Sequence, residues 1–229
     1  MKLPSGRPQI VKIEDKKFLR IAIKTHVLTD KDDMLEVIKK YTKGILKRGD
    51  IICVSESPLA ITQGRAIPED KIKVSLPARI LWRFVRKVPY GIGLRSPQSM
   101  QVAINEAGLL RILIASIFSA LTKPFGIRGI FYKVAGKQVA MIDAAHTTPV
   151  KPYDKCVIKG PKEPEKFVYR VKKELGNPCA VVDVNDIAGA WIVAHTKDIN
   201  SNLLKKILDD NPMGQGKELT PICLVRRLD

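Results

Sequence analysis

Cysteine is scarce: the 229 residues hold four, Cys53, Cys156, Cys179 and Cys223. They stand too far apart for a C-x-x-C pair or a Cys/His cluster, which excludes the spacing of a structural zinc site and of a dense disulfide framework. Three of them lie inside apolar runs of strand character, where a free thiol behaves as a small core residue, and a reduced cytoplasmic setting is expected. Long apolar runs are missing too. The longest uncharged one, Ile112 to Thr122, has eleven residues between Arg111 and Lys123, whereas a membrane-crossing helix needs about 20. The N-terminal MKLPSGRPQIVKIEDKK carries no apolar core of signal-peptide type, so no signal peptide is expected. No Walker A sequence, G-x-G-x-x-G run or G-x-S-x-G elbow occurs.

Acid is scarce in one window. From Lys71 to Lys137 twelve basic residues face a single acid, Glu106, and this window supplies most of the net charge of +17. Such a field favours an anionic partner: nucleotide, phosphorylated cofactor, RNA or lipid headgroups. A solvated basic face accounts for most of it, and a small phosphorylated ligand needs only part. Aromatics are few, at 6%, and no RNP-like, GXXG or arginine-rich motif appears, so RNA binding has little to build on. The window's Trp82, Phe84, Tyr90, Phe118, Phe125, Phe131 and Tyr132 fall mostly at core-facing positions of predicted helices or strands. With 45% hydrophobic and 28% charged residues the chain is globular and not disordered.

The pattern along the chain is mixed. Residues 10–23 read as two strands around a charged turn. A helix follows, with Thr29 as N-cap, Asp32 completing a capping box, and Met34, Ile38, Tyr41 and Ile45 at helical spacing up to Arg48-Gly49-Asp50. Ile51–Ser55 is a buried strand, and the polar, Gly- and Pro-bearing stretch after it reads as a loop or strand pair. Pro77 opens a short basic helix to Val88 with Ile80, Leu81, Phe84, Val85 and Val88 on one side; a membrane-surface helix and a core-packed helix share this look. Ser96-Pro97 caps a further helix, and Leu109–Leu121, apolar on most sides, is expected to be buried. Gly126 to Asp143 reads as a hairpin, Lys151–Pro164 as a surface connector between two lobes. The remainder alternates: helix Glu165–Leu175, strands Cys179–Val184 and Ala190–His195, helix Ile199–Asp209, strand Pro221–Arg226. The class is α+β, one domain over residues 1–229 in two lobes.

Two apolar strands end in acids: VAMID at Asp143, and AVVDVNDIAG with Asp183, Asn185 and Asp186. Hard oxygen ligands there suit Mg²⁺ or Mn²⁺, although Asp and Asn at strand ends also make Asx-turns. The turn DNPMGQGKEL, with Gly214 and Gly216, lets backbone N–H groups approach a phosphate. His26 and His146 follow predicted strands in polar context; His195 closes an apolar strand, where a partly buried, satisfied imidazole is expected.

These segments together resemble the coenzyme F-420 gamma-glutamyl ligases. KTHVLTDKDDMLEVIKKY and RGDIICVSESPLAITQGR are similar to that family's opening, a nucleotide-contacting turn, a gDDL helix, a DGDILVV strand and a SKAEGR loop; VVDVNDIAG is similar to VVSDTFG, and ELTPICLVR to the closing VLVRG segment. The resemblance implies a two-lobed α+β fold that pairs as an intertwined homodimer. It also implies addition of glutamate to an anionic acceptor through an acyl phosphate, with GTP (or ATP) as co-substrate and Mg²⁺ or Mn²⁺. Carried over, Thr25, His26, Val27 and Leu28 fall on the nucleotide turn, Gln215 and Glu218 on the C-terminal nucleotide stretch, and Asp186 on a metal aspartate. Asp143 is the second expected ligand, in one cleft with Asp186, and Asp183 and Asn185 support them. The sequence also departs from the pattern. Ala60-Ile61 replaces the family's Ser-Lys pair, Ile187 replaces the hydroxyl after the metal aspartate, and DAAHTT, with Asp143 and Thr147, stands where the family has NAGID. The expected activity is thus a nucleotide- and metal-dependent acid–amine ligase. Its rivals are a non-catalytic binder of a phosphorylated ligand and, third, an RNA-binding protein.

Overall fold

Glu14, at φ 55°, turns the chain between β1 (Ile10–Ile13) and β2 (Lys16–Ile23), which pair antiparallel. This is the first hairpin of an α+β fold seen in a computed structural model that describes residues 2–85, 93–127, 129–186 and 189–228. Helix α1 (Met34–Thr42) is capped by Asp33, whose Oδ1 accepts from the Leu35 and Glu36 N–H groups. The expected cap at Thr29 is corrected: Asp32 instead accepts the N–H and hydroxyl of Thr29 and closes a turn ahead of the helix. The helix also stops earlier than the pattern predicts, at Thr42, and leaves Ile45 exposed.

Strand β3 (Ile51–Ser55) leads straight into α2 (Glu56–Thr62), where a loop or strand pair is expected from composition. Pro58 is tolerated because it sits in the first turn, where no intrahelical N–H bond is lost. Leu59, Ala60 and Ile61 are buried, and α2 packs on β3 and on a later strand, β6. Strand β4 (Ala66–Pro68) and helix α3 (Leu76–Leu81) follow, α3 running into a tighter turn over Trp82–Phe84. The predicted apolar side of this basic helix is a core face only in part: Ala78 is buried and Leu81 and Val85 pack partly buried against the core around it, while Ile80 and Phe84 are exposed. Arg86, Lys87 and Val88 lie outside the described residues.

Ser96 and Ser99 form a reciprocal capping box on α4 (Pro97–Ala107), and Gly108, at φ 82°, separates it from α5 (Leu109–Thr122). The expected burial of α5 is corrected, since Ile112 and Ala115 alone are buried in it and most of its large side chains face out. So is the Gly126–Asp143 hairpin. Two short helices stand there, α6 (Ile130–Ala135) and α7 (Lys137–Ala140), broken apart by Gly136 at φ 105°. Runs of six apolar-rich residues between glycines carry too little periodicity to separate strand from helix. Within residues 151–164, expected as connector, lie a helical turn at Tyr153–Lys155 and β5 (Cys156–Ile158), which pairs antiparallel with β4.

The closing elements follow the expected order: α8 (Pro164–Leu175) ended by left-handed Gly176, β6 (Cys179–Asn185), β7 (Gly189–His195), α9 (Ser201–Leu208) capped by Asn200, and β8 (Ile222–Leu228). The six-stranded sheet runs β1-β2-β8-β3-β6-β7, antiparallel except for β3 beside β6.

The chain divides into two compact units, one of residues 1–64 with 162–229 and one of residues 65–161. The first holds the six-stranded sheet and a core that joins Phe18, Cys53, Val182, Leu204, Leu208 and Val225. Its largest fully buried side chain is Arg20, which donates to the Ile207 carbonyl at 2.9 Å and pairs with Asp210. The second unit is mostly helical, around Met100, Val102, Ile112, Val139, Ile142 and Val157. Glu106 fastens its two ends: Oε2 meets Arg65 at 3.1 Å and Oε1 meets Lys159 at 2.8 Å. Burial alone would raise the Glu106 carboxyl, but the hydrogen bond and charge of Lys159, then of Arg65, hold it below its ordinary value.

No single helix among the described residues is long and apolar enough to cross a membrane; the apolar pair α4 and α5 is bent by 112°.

Candidate functional site

Strand register collects one set of chain ends. Ile222 at the start of β8 pairs with Ile23 at the end of β2 and with Val54 near the end of β3, and Ser55 pairs with Val182 of β6. The carboxyl ends of β2, β3 and β6 and the entry to β8 therefore lie along one edge of the sheet. Loops gathered at strand ends over a rigid sheet are where an α/β-type layer presents functional side chains.

The first of these loops carries Thr25, His26, Val27 and Leu28. Thr25 is buried and its N–H donates to the Leu219 carbonyl at 2.9 Å, which joins the loop to the C-terminal turn. Leu28 is buried, and Val27 is exposed. The His26 ring is held on both nitrogens, Nδ1 by the Tyr41 hydroxyl at 2.8 Å and Nε2 by Asp32 Oδ1 at 2.9 Å, and it stacks on Tyr41. Burial would raise the Asp32 carboxyl, yet the Thr29 N–H, the His26 contact and the Thr29 hydroxyl bring it below its usual value. Tyr41, read from the sequence as a core position of a helix, is thus a clamp on His26. Helical spacing alone could not tell the two apart.

The second loop is the turn after α9. Asn211 is fully buried at φ 52° and accepts from the Gly214 N–H at 3.0 Å. Gly214 has φ 78°, and a Cβ there would come within 2.8 Å of the Glu218 carboxylate, which lies close over Gly216 as well. The two glycines are therefore needed for the close approach of Glu218. Gln215 Oε1 accepts the Asp186 N–H at 3.1 Å. The turn is anchored from behind by Ser5, whose hydroxyl donates to the Pro212 carbonyl at 2.9 Å.

The third segment is the end of β6. Asp183 and Asn185 lie on the strand, opposite Trp191 and Gly189. Asp186 follows, and its Oδ1 accepts from Arg7 Nη2 and from Asn211 Nδ2, each at 3.1 Å. Arg7 was not singled out by the sequence, because an arginine ahead of the first strand carries no local signal. Ile187 lies outside the described residues. Asp143 belongs to the other unit, where its N–H and carbonyl bridge to Ile158. His146, at φ 67°, meets Glu69 at 3.1 Å in that unit, and His195 meets the Thr196 carbonyl.

Thr25, His26, Leu28, Asp186, Gln215 and Glu218 thus stand on three loops of one sheet edge. Among the described residues no group of three or more His, Cys, Asp or Glu is placed to hold a metal ion, and Mg²⁺ at a nucleotide site takes one or two carboxylates with water and substrate phosphates. Asp186 faces a guanidinium and an amide, the partners of an anion held by hydrogen bonds. As arranged, the Asp186 carboxylate is taken up by Arg7 and Asn211. The thiols offer no nucleophile either. All four are buried; burial pushes Cys223 up to about 12 and, with Cys223 and Cys179 as neighbours, lifts Cys53 well above its ordinary value. The positions Ala60 and Ile61, where the resembled family has Ser-Lys, are core positions of α2.

Compared with known families, residues 22–187 match the model described as F-420-0:gamma-glutamyl ligase. The match takes in the His26 loop and Asp186 and stops ahead of Gln215 and Glu218. No curated protein matches the chain.

Proposed function

We propose, since the chain belongs to the F-420-0:gamma-glutamyl ligase family, that it is a nucleotide-dependent acid–amine ligase of gamma-glutamyl type acting on a phosphorylated or otherwise anionic acceptor. One observation supports this reading most: the segments that the family pattern links to nucleotide and to metal meet through hydrogen bonds, Thr25 to Leu219 and Asp186 to Gln215. A carboxylate oxygen of the acceptor attacks the terminal phosphorus of GTP or ATP, and the nucleoside diphosphate leaves. The amine of the incoming amino acid then attacks the acyl carbon and phosphate leaves. Thr25, His26, Val27, Leu28, Gln215 and Glu218 line the nucleotide or acceptor. Tyr41 and Asp32 fix the direction in which His26 presents its ring.

Mg²⁺ or Mn²⁺ on Asp186 and Asp143, with Asp183 and Asn185 in support, enters only as an expectation from the family. Arg7 would have to leave Asp186 first. A two-lobed, intertwined homodimer and a cytoplasmic location belong to the same proposal on the same footing.

A second reading, a non-catalytic binder of a phosphorylated ligand, is favoured by the Arg7–Asp186 pair and by the burial of Ala60 and Ile61. Mass spectrometry of small molecules released from the purified protein, followed by titration with GTP and ATP, tests both. Bound nucleotide or deazaflavin, with ligation of glutamate to a carboxylate acceptor, supports the ligase. Ligand binding without turnover supports the binder, and nucleic acid alone overturns both.

A further inference from the structure

We propose that the outward face of α5 docks on an anionic lipid surface. The inference concerns the inserted unit alone and stands whether or not the chain is a ligase. Helix α5 is apolar on its outward side as well as its inward one. Its inward side carries Ile112, Ala115, Ser116 and Ser119, whereas Leu110, Leu113, Ile114, Ile117, Phe118 and Leu121 face out. These six follow helical spacing along one stripe. Leu110 is 73% exposed, Ile117 58%, Phe118 51% and Leu121 63%. Phe125, 80% exposed, continues beyond the helix end. A contiguous apolar patch of this kind marks an interaction surface, unlike scattered single residues.

Charge identifies the occupant. Between Glu106 and Asp143 the sequence has five basic residues and no acid. Arg111 stands in the first turn of α5, Lys123 just past its end, and Lys133 on α6, which packs against α5; all three are exposed. A second copy docking through a two-fold contact would set this all-positive rim against itself, and like charges facing each other oppose association. A layer of acidic headgroups meets the same rim with opposite charge, while the stripe enters the acyl region beneath. Fourteen residues are too few to span a bilayer, and an apolar face with flanking cations suits a helix lying in the plane of the interface.

The test is co-sedimentation of the full chain with phosphatidylcholine vesicles, with and without phosphatidylglycerol, at low and high salt. Binding should require phosphatidylglycerol and weaken as salt rises. The exposed triple substitution Ile117→Asn, Phe118→Asn, Leu121→Asn should abolish binding with an unchanged circular dichroism spectrum. Loss of each basic group should lower partitioning about fivefold, so Lys123→Glu with Lys133→Glu should lower it further still. Absence of binding, or equal binding to neutral vesicles, overturns the proposal. So does a dimer in sedimentation equilibrium that the triple substitution converts to monomer, because the stripe is then covered by a second copy.

Discussion

Arg7 and Asp186 lie 179 residues apart in the chain and meet at 3.1 Å, guanidinium to carboxylate. Asn211 donates to the same oxygen. The acid that the family pattern links to a metal is therefore already matched by a cation and an amide from outside the family-matched span.

Both partners of that pair are more than a third exposed, so it contributes little to stability. Arg7→Ala should leave the melting temperature nearly unchanged in the absence of metal. It should, however, increase any Mn²⁺-linked rise in melting temperature by releasing Asp186, and Asp186→Asn should remove that rise in both backgrounds. A Mn²⁺ effect indifferent to both substitutions would place the ion elsewhere.

Glu106 gives a pH signature. Its folded carboxyl sits below its ordinary value because Lys159 and Arg65 outweigh the burial that opposes them. A depressed acid contributes stability that is present above its unfolded value, about 4.3, and is lost as pH falls through the folded value. Glu106→Gln should cost about 1–2 kcal/mol at neutral pH. The difference from wild type, measured by urea unfolding, should shrink below about pH 4. A difference that stays constant down to pH 3 would count against the clamp.

Arg20 is fully buried, tied to the Ile207 carbonyl and to Asp210. Arg20→Ala leaves a cavity and an unpaired carbonyl and should destabilise by about 3 kcal/mol. Arg20→Lys should recover only part, since an ammonium cannot span both partners with a planar fork. Thermal unfolding of the two variants checks the ranking.

RNA binding should be weak and should collapse as salt rises, because counterion release would supply nearly all of it. The sequence places most aromatics of the basic window in the core, and here the structure corrects it: Phe84, Phe118, Phe125 and Tyr132 are exposed, and Tyr90 lies outside the described residues. Phe118 nevertheless stands within an aliphatic stripe, and stacking needs aromatic platforms along a basic groove. Titrations with a mixed-sequence RNA oligomer at two salt concentrations, beside nucleoside triphosphate with Mg²⁺, decide the matter. Tight, salt-tolerant RNA binding without nucleotide binding would put the RNA reading first.

The sequence names candidate site residues but not the contacts among them. Thr25 to Leu28, Asp186, Gln215 and Glu218 are candidates from local motif likeness, because each motif is a short run with its own backbone demands. Nothing in sequence spacing could pair Arg7 with Asp186 or Tyr41 with His26. Such contacts depend on which strand ends the register brings to one edge.

The sequence by itself determined the strands of the six-stranded sheet, α4, α8 and α9, since alternation, helical spacing, caps and terminal glycines are local and agree there. It also set the α+β class and the basic bias of residues 71–137. Tertiary structure alone decided the rest. It made Ala60 and Ile61 core by laying α2 on β3 and β6, and it joined Arg65, Glu106 and Lys159 at the two ends of the inserted unit. It also turned the apolar side of α5 outward. Hydrophobicity specifies that a surface prefers to leave water, but only the packing of α5 through Ile112 and Ala115 settles which of its faces does so within the chain.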